Sequence, residues 1–408
     1  MGLFEKYLAE SVGETLAARV KDALGQDAPT SVRLNPFKKS ELLNLPVLRD
    51  VAWSPQGKIL SSRPCFTLDP LMHAGAYYVQ DSSAMIVGHV LRQMAGKFAG
   101  KDGICVLDLC AAPGGKTTDL AASLRERFGN DFLLVSNEVM RQRAGVLDDN
   151  VARWGDPNVV VTSVDPAAFA RMGEFFDVIV ADVPCSGEGM FRKDPRAEAE
   201  WSPETVQLCA SRQRRILADV WPALKKDGML IYSTCTYEQC ENDDNLEWAA
   251  RELGGEIFAP EDEFPEYGVR LTACGNLLKA GEVPGEGQWV GALRKTSGGD
   301  SRPGIPLSAL RPIRSGVRKG ELKGKDFVPD ADWALSLEFD RGAFPLVEVD
   351  KPTALHFLHK DSLALPDAPL GYLALTYRGV PLGFVKNIGR RCNSLLPAGR
   401  RILMDIKV

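Results

Sequence analysis

Over the middle of the chain, short unbroken apolar runs alternate with stretches whose apolar residues recur at helical spacing. The runs 103–109, 132–137, 159–163, 177–181, 228–233 and 288–293 read as strands covered on both faces. Helices are predicted near 117–127, 141–154, 205–224 and 241–252. Strands in alternation with amphipathic helices predict an α/β fold, a doubly wound, Rossmann-like sheet. Ahead of it, 4–24 has helical spacing, 31–36 reads as a short strand stopped by Pro36, and 40–48 is a second helix-like run. Trp53, Pro55, Pro64 and Pro70 mark turns and strand edges, and Asp81 or Ser82 is placed to cap a helix running to Val90. After it, 294–325 is rich in Lys, Arg, Gly, Ser and Pro, and short strands follow from about Phe339. The run 373–385 reads as a hairpin turned at Arg378-Gly379. The expected domains are a small α/β module over 1–75, a catalytic sheet over 76–295, and a basic linker with a small β-rich domain over 296–408.

Two strand ends carry the chemistry. One run ends in Asp182-Val183-Pro184-Cys185-Ser186-Gly187, and another in Ser233-Thr234-Cys235-Thr236. Ligands of an open parallel sheet bind beyond the C-terminal ends of its strands. Asp182, Cys185 and Cys235 are therefore expected in one crevice. Free cysteine is among the most buried residue types, and Cys65, Cys105, Cys209, Cys274 and Cys392 are read as core. Cys185 and Cys235 differ, because each follows its strand beside Pro or Thr.

A third strand end opens the loop Asp108-Leu109-Cys110-Ala111-Ala112-Pro113-Gly114-Gly115-Lys116-Thr117-Thr118. Small residues there admit close approach of a ligand, and the following helix offers free N–H groups. A phosphate-binding P-loop would need glycine where Cys110 stands. Acids then follow successive strands at Glu138, Asp165 and Asp182. A carboxylate after the second strand suits ribose hydroxyls, and Asp165 is placed to accept from an adenine amine. The set favours S-adenosylmethionine over a nucleotide phosphate.

With 408 residues, 45% hydrophobic and 25% charged, the chain has room for two or three packed domains. No apolar run reaches membrane-span length and MGLFEKYLAE lacks a signal-peptide core, so a cytoplasmic location without membrane attachment is expected. Nine cysteines without a CxxC pair, and four histidines that complete no ligand set, predict free thiols and no metal. A net charge of −5 argues mildly against a general nucleic-acid binder. Local basic groups offset this: Arg33, Lys38, Lys39 and Arg63; Arg192, Lys193 and Arg196; and Lys386, Arg390, Arg391, Arg400 and Arg401 near the end. Cys240 is an extra thiol close in sequence to Cys235.

CAAPGGK, ADVPCSGEGMFRKDP and YSTCTYEQCEN resemble the diagnostic blocks of the Sun-type (Nol/Nop/Sun) RNA cytosine-C5 methyltransferases, and SVRLNP and AYYVQDSSAM resemble two upstream blocks. The tail resembles the small PUA-like RNA-binding domain of bacterial members that modify 16S ribosomal RNA. The resemblance implies that Cys110, Ala111, Ala112, Pro113, Gly114, Gly115, Lys116, Glu138, Asp165 and Asp182 hold S-adenosylmethionine. It implies Cys235 as nucleophile and Cys185 as a second catalytic cysteine, with RNA as partner, ribosomal RNA or the small subunit first and transfer RNA second, and a monomeric enzyme. The chemistry fits the residues. Carbon 5 of cytosine is a poor nucleophile until a thiolate adds at carbon 6. The base must also leave its stack to be reached.

Three other readings compete. A DNA C5 methyltransferase would exchange the roles of Cys185 and Cys235. A non-catalytic RNA-binding assembly factor would carry damaged blocks, and these are intact. A small-molecule methyltransferase would not require the basic flanks.

Overall fold

The computed structural model describes residues 3–38, 44–98, 101, 103–193, 195–258, 263–298 and 304–406. The N-terminal run forms two helices, α1 (Leu3–Val12) and α2 (Glu14–Leu24), rather than one. Gly13 separates them with φ +84°, a conformation open to glycine. Strands β1 (Ser31–Leu34), β2 (Val47–Val51), β3 (Ser54–Leu60) and β4 (Tyr77–Val79) make a sheet ordered β2-β3-β1-β4. The helix expected over 40–48 is corrected at its end, where Val47 and Leu48 start β2; residues 39–43, including Lys39, lie outside the described residues. The module also reaches past residue 75, since β4 pairs with β1. Asp69 caps the short helix α3 (Pro70–His73). Asp81 Oδ1 accepts the Ser83 N–H at 2.9 Å, opening the turn that leads into α4 (Ile86–Ala95).

The middle of the chain builds the expected sheet. Its parallel strands are β5 (Ile104–Asp108), β6 (Phe132–Asn137), β7 (Val159–Thr162), β8 (Phe176–Asp182) and β9 (Leu224–Thr234). The helices between them are α5 (Gly115–Phe128), α6 (Arg141–Trp154), α7 (Ala167–Ala170), α8 (Pro195–Glu200) and α9 (Pro203–Val220), with α10 (Asp243–Leu253) after β9. Strands β10 (Gly255–Phe258), β11 (Arg270–Leu271), β12 (Gly275–Leu278) and β13 (Gln288–Lys295) complete one side, β13 antiparallel to β9. The path runs β11-β12-β13-β9-β8-β5-β6-β7, with β10 paired to β13. Strand order reverses around β5, so the crevice falls at the C-terminal ends of β5 and β8.

The unbroken apolar runs have a simple origin. Val106, Val178, Val180 and Ile231 enter the core on one face, while Leu107, Ile179, Ala181 and Leu230 enter the core on the other. Successive residues alternate faces, and helices cover both.

The stretch expected as a linker returns to this sheet. Strand β14 (Arg314–Ser315) pairs antiparallel with β7, and Leu310 is buried in the adjoining core. A hairpin of β15 (Gly320–Lys323) and β16 (Asp326–Pro329) follows. The last sheet is β17 (Leu346–Glu348), β18 (Gly371–Tyr377), β19 (Val380–Asn387) and β20 (Cys392–Ser394), with helix α11 (Lys351–His359) between its first two strands. The hairpin turns at Arg378-Gly379 as expected; both have positive φ, 51° and 71°, the conformation of a type I′ turn. The two ends of the chain share one core. Val32, Phe66, Leu71 and Tyr77 pack in the same cluster as Leu355, Phe357, Leu373 and Tyr377.

Several cations expected to face phosphate hold this architecture together instead. Arg33 is 1% exposed. Its guanidinium donates to Gln80 Oε1 (2.8 Å) and Thr118 Oγ1 (2.5 Å) and lies 4.7 Å over the Trp154 ring. Lys38 Nζ donates to the carbonyls of Ala74 and Arg153, each at 2.7 Å. Arg192 is sequestered between Glu286 (2.9 Å), the Gly285 carbonyl and the Ala23 carbonyl. Arg400, half of the tail's basic pair, binds Asp149 (2.6 Å) and Asp332, and Arg314 binds Asp148 (2.5 Å) and Asp332 (2.7 Å). The Arg196 side chain lies outside the described residues. Among the five cysteines read as core, Cys209, Cys274 and Cys392 are buried, but Cys105 is half-buried and Cys65 is exposed, 3.8 Å from Met404 Sδ.

Candidate active site

Register places the two cysteines. Strands β8 and β9 run parallel with Asp182 opposite Ser233. The chains leaving them therefore start side by side, and Cys185 and Cys235 come three and two residues later. Backbone bonds tie the two loops: Val183 N–H to the Ser233 carbonyl (3.1 Å) and Gly189 N–H to the Cys235 carbonyl (2.8 Å). A Cβ at Gly189 would stand 2.6 Å from the Gly287 carbonyl, so the close crossing requires glycine.

The sulfur atoms of Cys185 and Cys235 lie 3.1 Å apart, and the Cys235 N–H points at Cys185 Sγ (3.3 Å). Both thiols line a cavity of about 410 Å³ together with Cys110, Ala112, Arg143, Asp182 and Pro184. The Cys185 thiol is pushed well above its ordinary pKa by its bond to Cys235, by burial, and by the charges of Glu241 and Glu188.

Asp182 is the meeting point of three donors. Lys116 Nζ approaches Oδ2 at 2.9 Å, while the Ser233 hydroxyl (2.7 Å) and Gln288 Nε2 (3.3 Å) donate to Oδ1. Burial alone would lower the Lys116 pKa; Asp182 outweighs it and the ammonium is held above its usual range.

The loop after β5 has the shape of a cradle. The Ala112–Pro113 bond is cis, and Gly114 has φ +113° at the start of α5. A Cβ on Gly114 would meet Leu147 Cδ1 at 3.2 Å, and one on Gly115 would meet Tyr78 at 3.3 Å. Glu138 is 3% exposed; it accepts the Met140 N–H (2.9 Å) and pairs with Arg143 (3.2 Å), which also donates to the Ala112 carbonyl (2.9 Å). Arg143 thereby joins the loop to the acid after β6. Asp165 stands exposed, with Oδ1 accepting the Ala167 N–H at the start of α7 (3.0 Å), and it is not among the residues that line the cavity.

Asp108 was not singled out from the sequence, although it ends β5 as Asp182 ends β8. It is fully buried; Oδ2 accepts the Thr117 hydroxyl (2.6 Å), and Oδ1 has no partner among the described residues. Burial, with Asp182 and Glu138 nearby, pushes its pKa up to about 7. Burial and the same three carboxylates, Asp182, Asp108 and Glu138, push the Cys110 thiol upward. An acidic surround with an unsatisfied carboxylate oxygen suits a cationic ligand bearing hydroxyls, which is the chemistry of S-adenosylmethionine. The residues that would hold it are Cys110–Lys116 by backbone approach, and Glu138, Asp108 and Asp182 by charge. Cys240 has its own thiol pushed up to about 12 by burial, and it is not among the residues lining the cavity. No group of three metal-ligating side chains and no helix long and apolar enough to cross a membrane occurs among the described residues.

Comparison with known proteins adds to this geometry. Residues 97–253 match the family model described as 16S rRNA methyltransferase RsmB/F. Residues 3–82 match the N-terminal domain of 16S rRNA methyltransferase RsmF, and 344–402 match the methyltransferase RsmF PUA domain. The Ribosomal RNA small subunit methyltransferase F of Pectobacterium carotovorum is 29% identical over 90% of this chain and 88% of its own. The protein of that name from Shigella boydii is 39% identical over 55% of this chain, which spans 46% of that relative's length. Among solved structures, a methyltransferase homolog from Pyrococcus horikoshii superposes with a TM-score of 0.60 at 26% identity, covering 72% of this chain and 94% of its own.

Proposed function

We propose, from its similarity to the RsmB/F methyltransferases, that this protein methylates carbon 5 of a cytosine in 16S ribosomal RNA. The cofactor is S-adenosylmethionine, which supplies an electrophilic methyl group. The observation that carries the reading is the 3.1 Å approach of the Cys185 and Cys235 sulfurs in the cavity that also holds Asp182.

We assign the two thiols distinct roles: Cys185, on the loop backed by the buried acids Glu188 and Glu241, is the hydrogen donor, and Cys235 is the sulfur that attacks the base. Cys235 Sγ bonds to carbon 6 of the base, which makes carbon 5 nucleophilic towards the methyl group. Water in the open cavity takes the carbon 5 proton, the C–H bonding pair restores the carbon 5–carbon 6 double bond, and the carbon 6–sulfur pair returns to Cys235. Cys185, in contact with that sulfur throughout, stabilises it as leaving group. All three neighbours of Asp182 donate to it, which leaves its carboxylate an acceptor. An acceptor at the base edge matches the exocyclic amine of cytosine and mismatches the carbonyl of uracil.

RNA containing 5-fluorocytosine tests the assignment, because the fluorine cannot leave as the proton does and the covalent complex persists. The wild-type protein and Cys185→Ala should form the complex, and Cys235→Ala should not. Cys235→Ala should also lose methyl transfer by at least ~10³-fold without a change in melting temperature. A complex formed by Cys235→Ala and abolished by Cys185→Ala would exchange the roles. A wild-type protein that forms no complex and transfers no methyl group to isolated small-subunit RNA or to subunits would leave an RNA-binding assembly factor as the reading.

A further inference from the structure

Behind the Cys185 loop lie two carboxyl side chains that the reaction above does not use. Glu188 and Glu241 are both 0% exposed. Both reach the hydroxyl of Ser186, the residue after Cys185. Ser186 Oγ is 2.9 Å from Glu188 Oε1, in close contact with Glu241 Oε1, and 3.0 Å from Thr236 Oγ1. The Ser186 N–H donates to Glu241 Oε2 (3.1 Å), as does Gln213 Nε2 (2.7 Å), which also donates to the Pro184 carbonyl (3.0 Å). Trp201 Nε1 donates to Glu188 Oε1 (2.6 Å). The network thus grips the segment 184–186 from three sides.

The single hydroxyl hydrogen of Ser186 serves only one of the two carboxyl oxygens that approach it; the Trp201 and Thr236 side chains are further donors to Glu188. No ion pair reaches either carboxyl among the described residues, and Glu188 Oε2 has no partner there. The titratable groups around the pair include Glu238, Cys185, Cys209, Cys240, Tyr232 and Tyr237; Arg192 and Arg212 act on Tyr237 and Cys209 but form no ion pair with either carboxyl among the described residues. Two buried acids without an ion pair oppose each other's ionisation. Burial is the first cause in both, carrying Glu241 to about 7 and Glu188 upward.

We propose that Glu188 and Glu241, bridged by Ser186, are positioning residues that keep Cys185 a thiol and aim its hydrogen at Cys235. The pair carries net negative charge beside Cys185, and negative charge opposes formation of a thiolate. When the Cys235–carbon 6 bond breaks, the electron pair returning to Cys235 accepts a hydrogen bond from the Cys185 S–H already in place, and the proton stays on Cys185. The catalytic consequence rests on the roles given to the two cysteines above; the local electrostatics does not.

Peptide-resolved alkylation of Cys185 against pH reads the charge directly. A Cys235→Ser background removes the neighbouring thiol and any need for RNA. In that background, Glu241→Gln should move the midpoint of Cys185 alkylation down by about one pH unit, the effect of one nearby charge. Glu188→Gln combined with Glu241→Gln should move it further, and Glu241→Asp should stay near the parent. A merely structural role would change the limiting rate by altering access and leave the midpoint in place. Glu188→Gln alone is measured in parallel, so that loss of folding in one variant leaves the other to decide. Unmoved midpoints in folded variants would overturn the proposal. That result beside an intact 5-fluorocytosine adduct would sink this inference alone; shifted midpoints with no adduct would instead sink the reaction assignment.

Discussion

The crevice at the strand ends and the seam where the chain's two ends meet the catalytic domain are built from the same residue types to opposite purposes. Asp108 beneath the crevice and Asp332 at the seam are both buried carboxylates. Asp332 is held by Arg314 and Arg400 on both oxygens, and although burial pushes its pKa up, those guanidiniums outweigh it and hold it low. Asp108 has one hydroxyl donor, one oxygen without a partner among the described residues, and a pKa pushed up to about 7. A buried charge with its partners inside the protein stabilises the fold. A buried charge left short of partners destabilises it, and such a group persists where a ligand completes the set. The comparison extends to the cations. At the seam Arg33, Lys38, Arg314 and Arg400 are consumed by internal acceptors. In the crevice Lys116 binds Asp182, which lines the cavity, and Arg143, itself on the cavity wall, binds Glu138.

The same isosteric change should therefore have opposite signs in the two regions. Asp332→Asn breaks a buried ionic cluster and should destabilise by about 3 kcal/mol, seen as a lower denaturation midpoint at pH 7. Because its folded pKa lies below the unfolded value, the contribution is present above about pH 4 and lost on acidification. Asp108→Asn should stabilise by about 2 kcal/mol at pH 8. Its folded pKa of about 7 lies above the unfolded value, so wild-type stability falls as pH rises from about 4 to about 7, and the variant should lack that fall. The variant should also bind S-adenosylmethionine about tenfold more weakly by calorimetry, the cost of a charge-assisted bond. Equal signs for the two substitutions would break the comparison.

How legible each region was follows from the range of the interactions that build it. Val159-Val160-Val161 declares a doubly covered strand within three residues, and Arg378-Gly379 declares its own turn. Once the strands were placed, Cys185 and Cys235 had to meet, because parallel register alone brings their loops together. The seam has no local signature. Nothing in Ser-Val-Arg-Leu-Asn-Pro shows that Arg33 lies under Trp154 or that Val32 shares a core with residues beyond 350. Cys65 fails for the same reason: burial of cysteine is a tendency of the residue type, and the local chain leaves this one exposed. Asp108 carried a legible signal in its position at a strand end. Its missing partner, which marks it as functional, is a property of three dimensions.

The smallest effects should come from cations that neither region consumes, and they decide where RNA lies. Arg390 and Arg391 stand exposed between β19 and β20, on the C-terminal sheet that packs against the N-terminal module. Each phosphate neutralised releases counterions, so every lost contact lowers the slope of log K against log salt by about one unit. Arg390→Ala and Arg391→Ala should each reduce that slope by about one and weaken binding of a small-subunit RNA fragment severalfold, with no loss of stability. Lys38→Met is the matched control at the seam, because its ammonium is bonded to two carbonyls rather than offered to solvent. It should leave the slope unchanged while altering stability. Filter binding across 50–300 mM salt separates the two outcomes. A slope that drops for Lys38→Met and holds for the exposed arginines would mean that the seam opens onto RNA and the tail's basic turn does not.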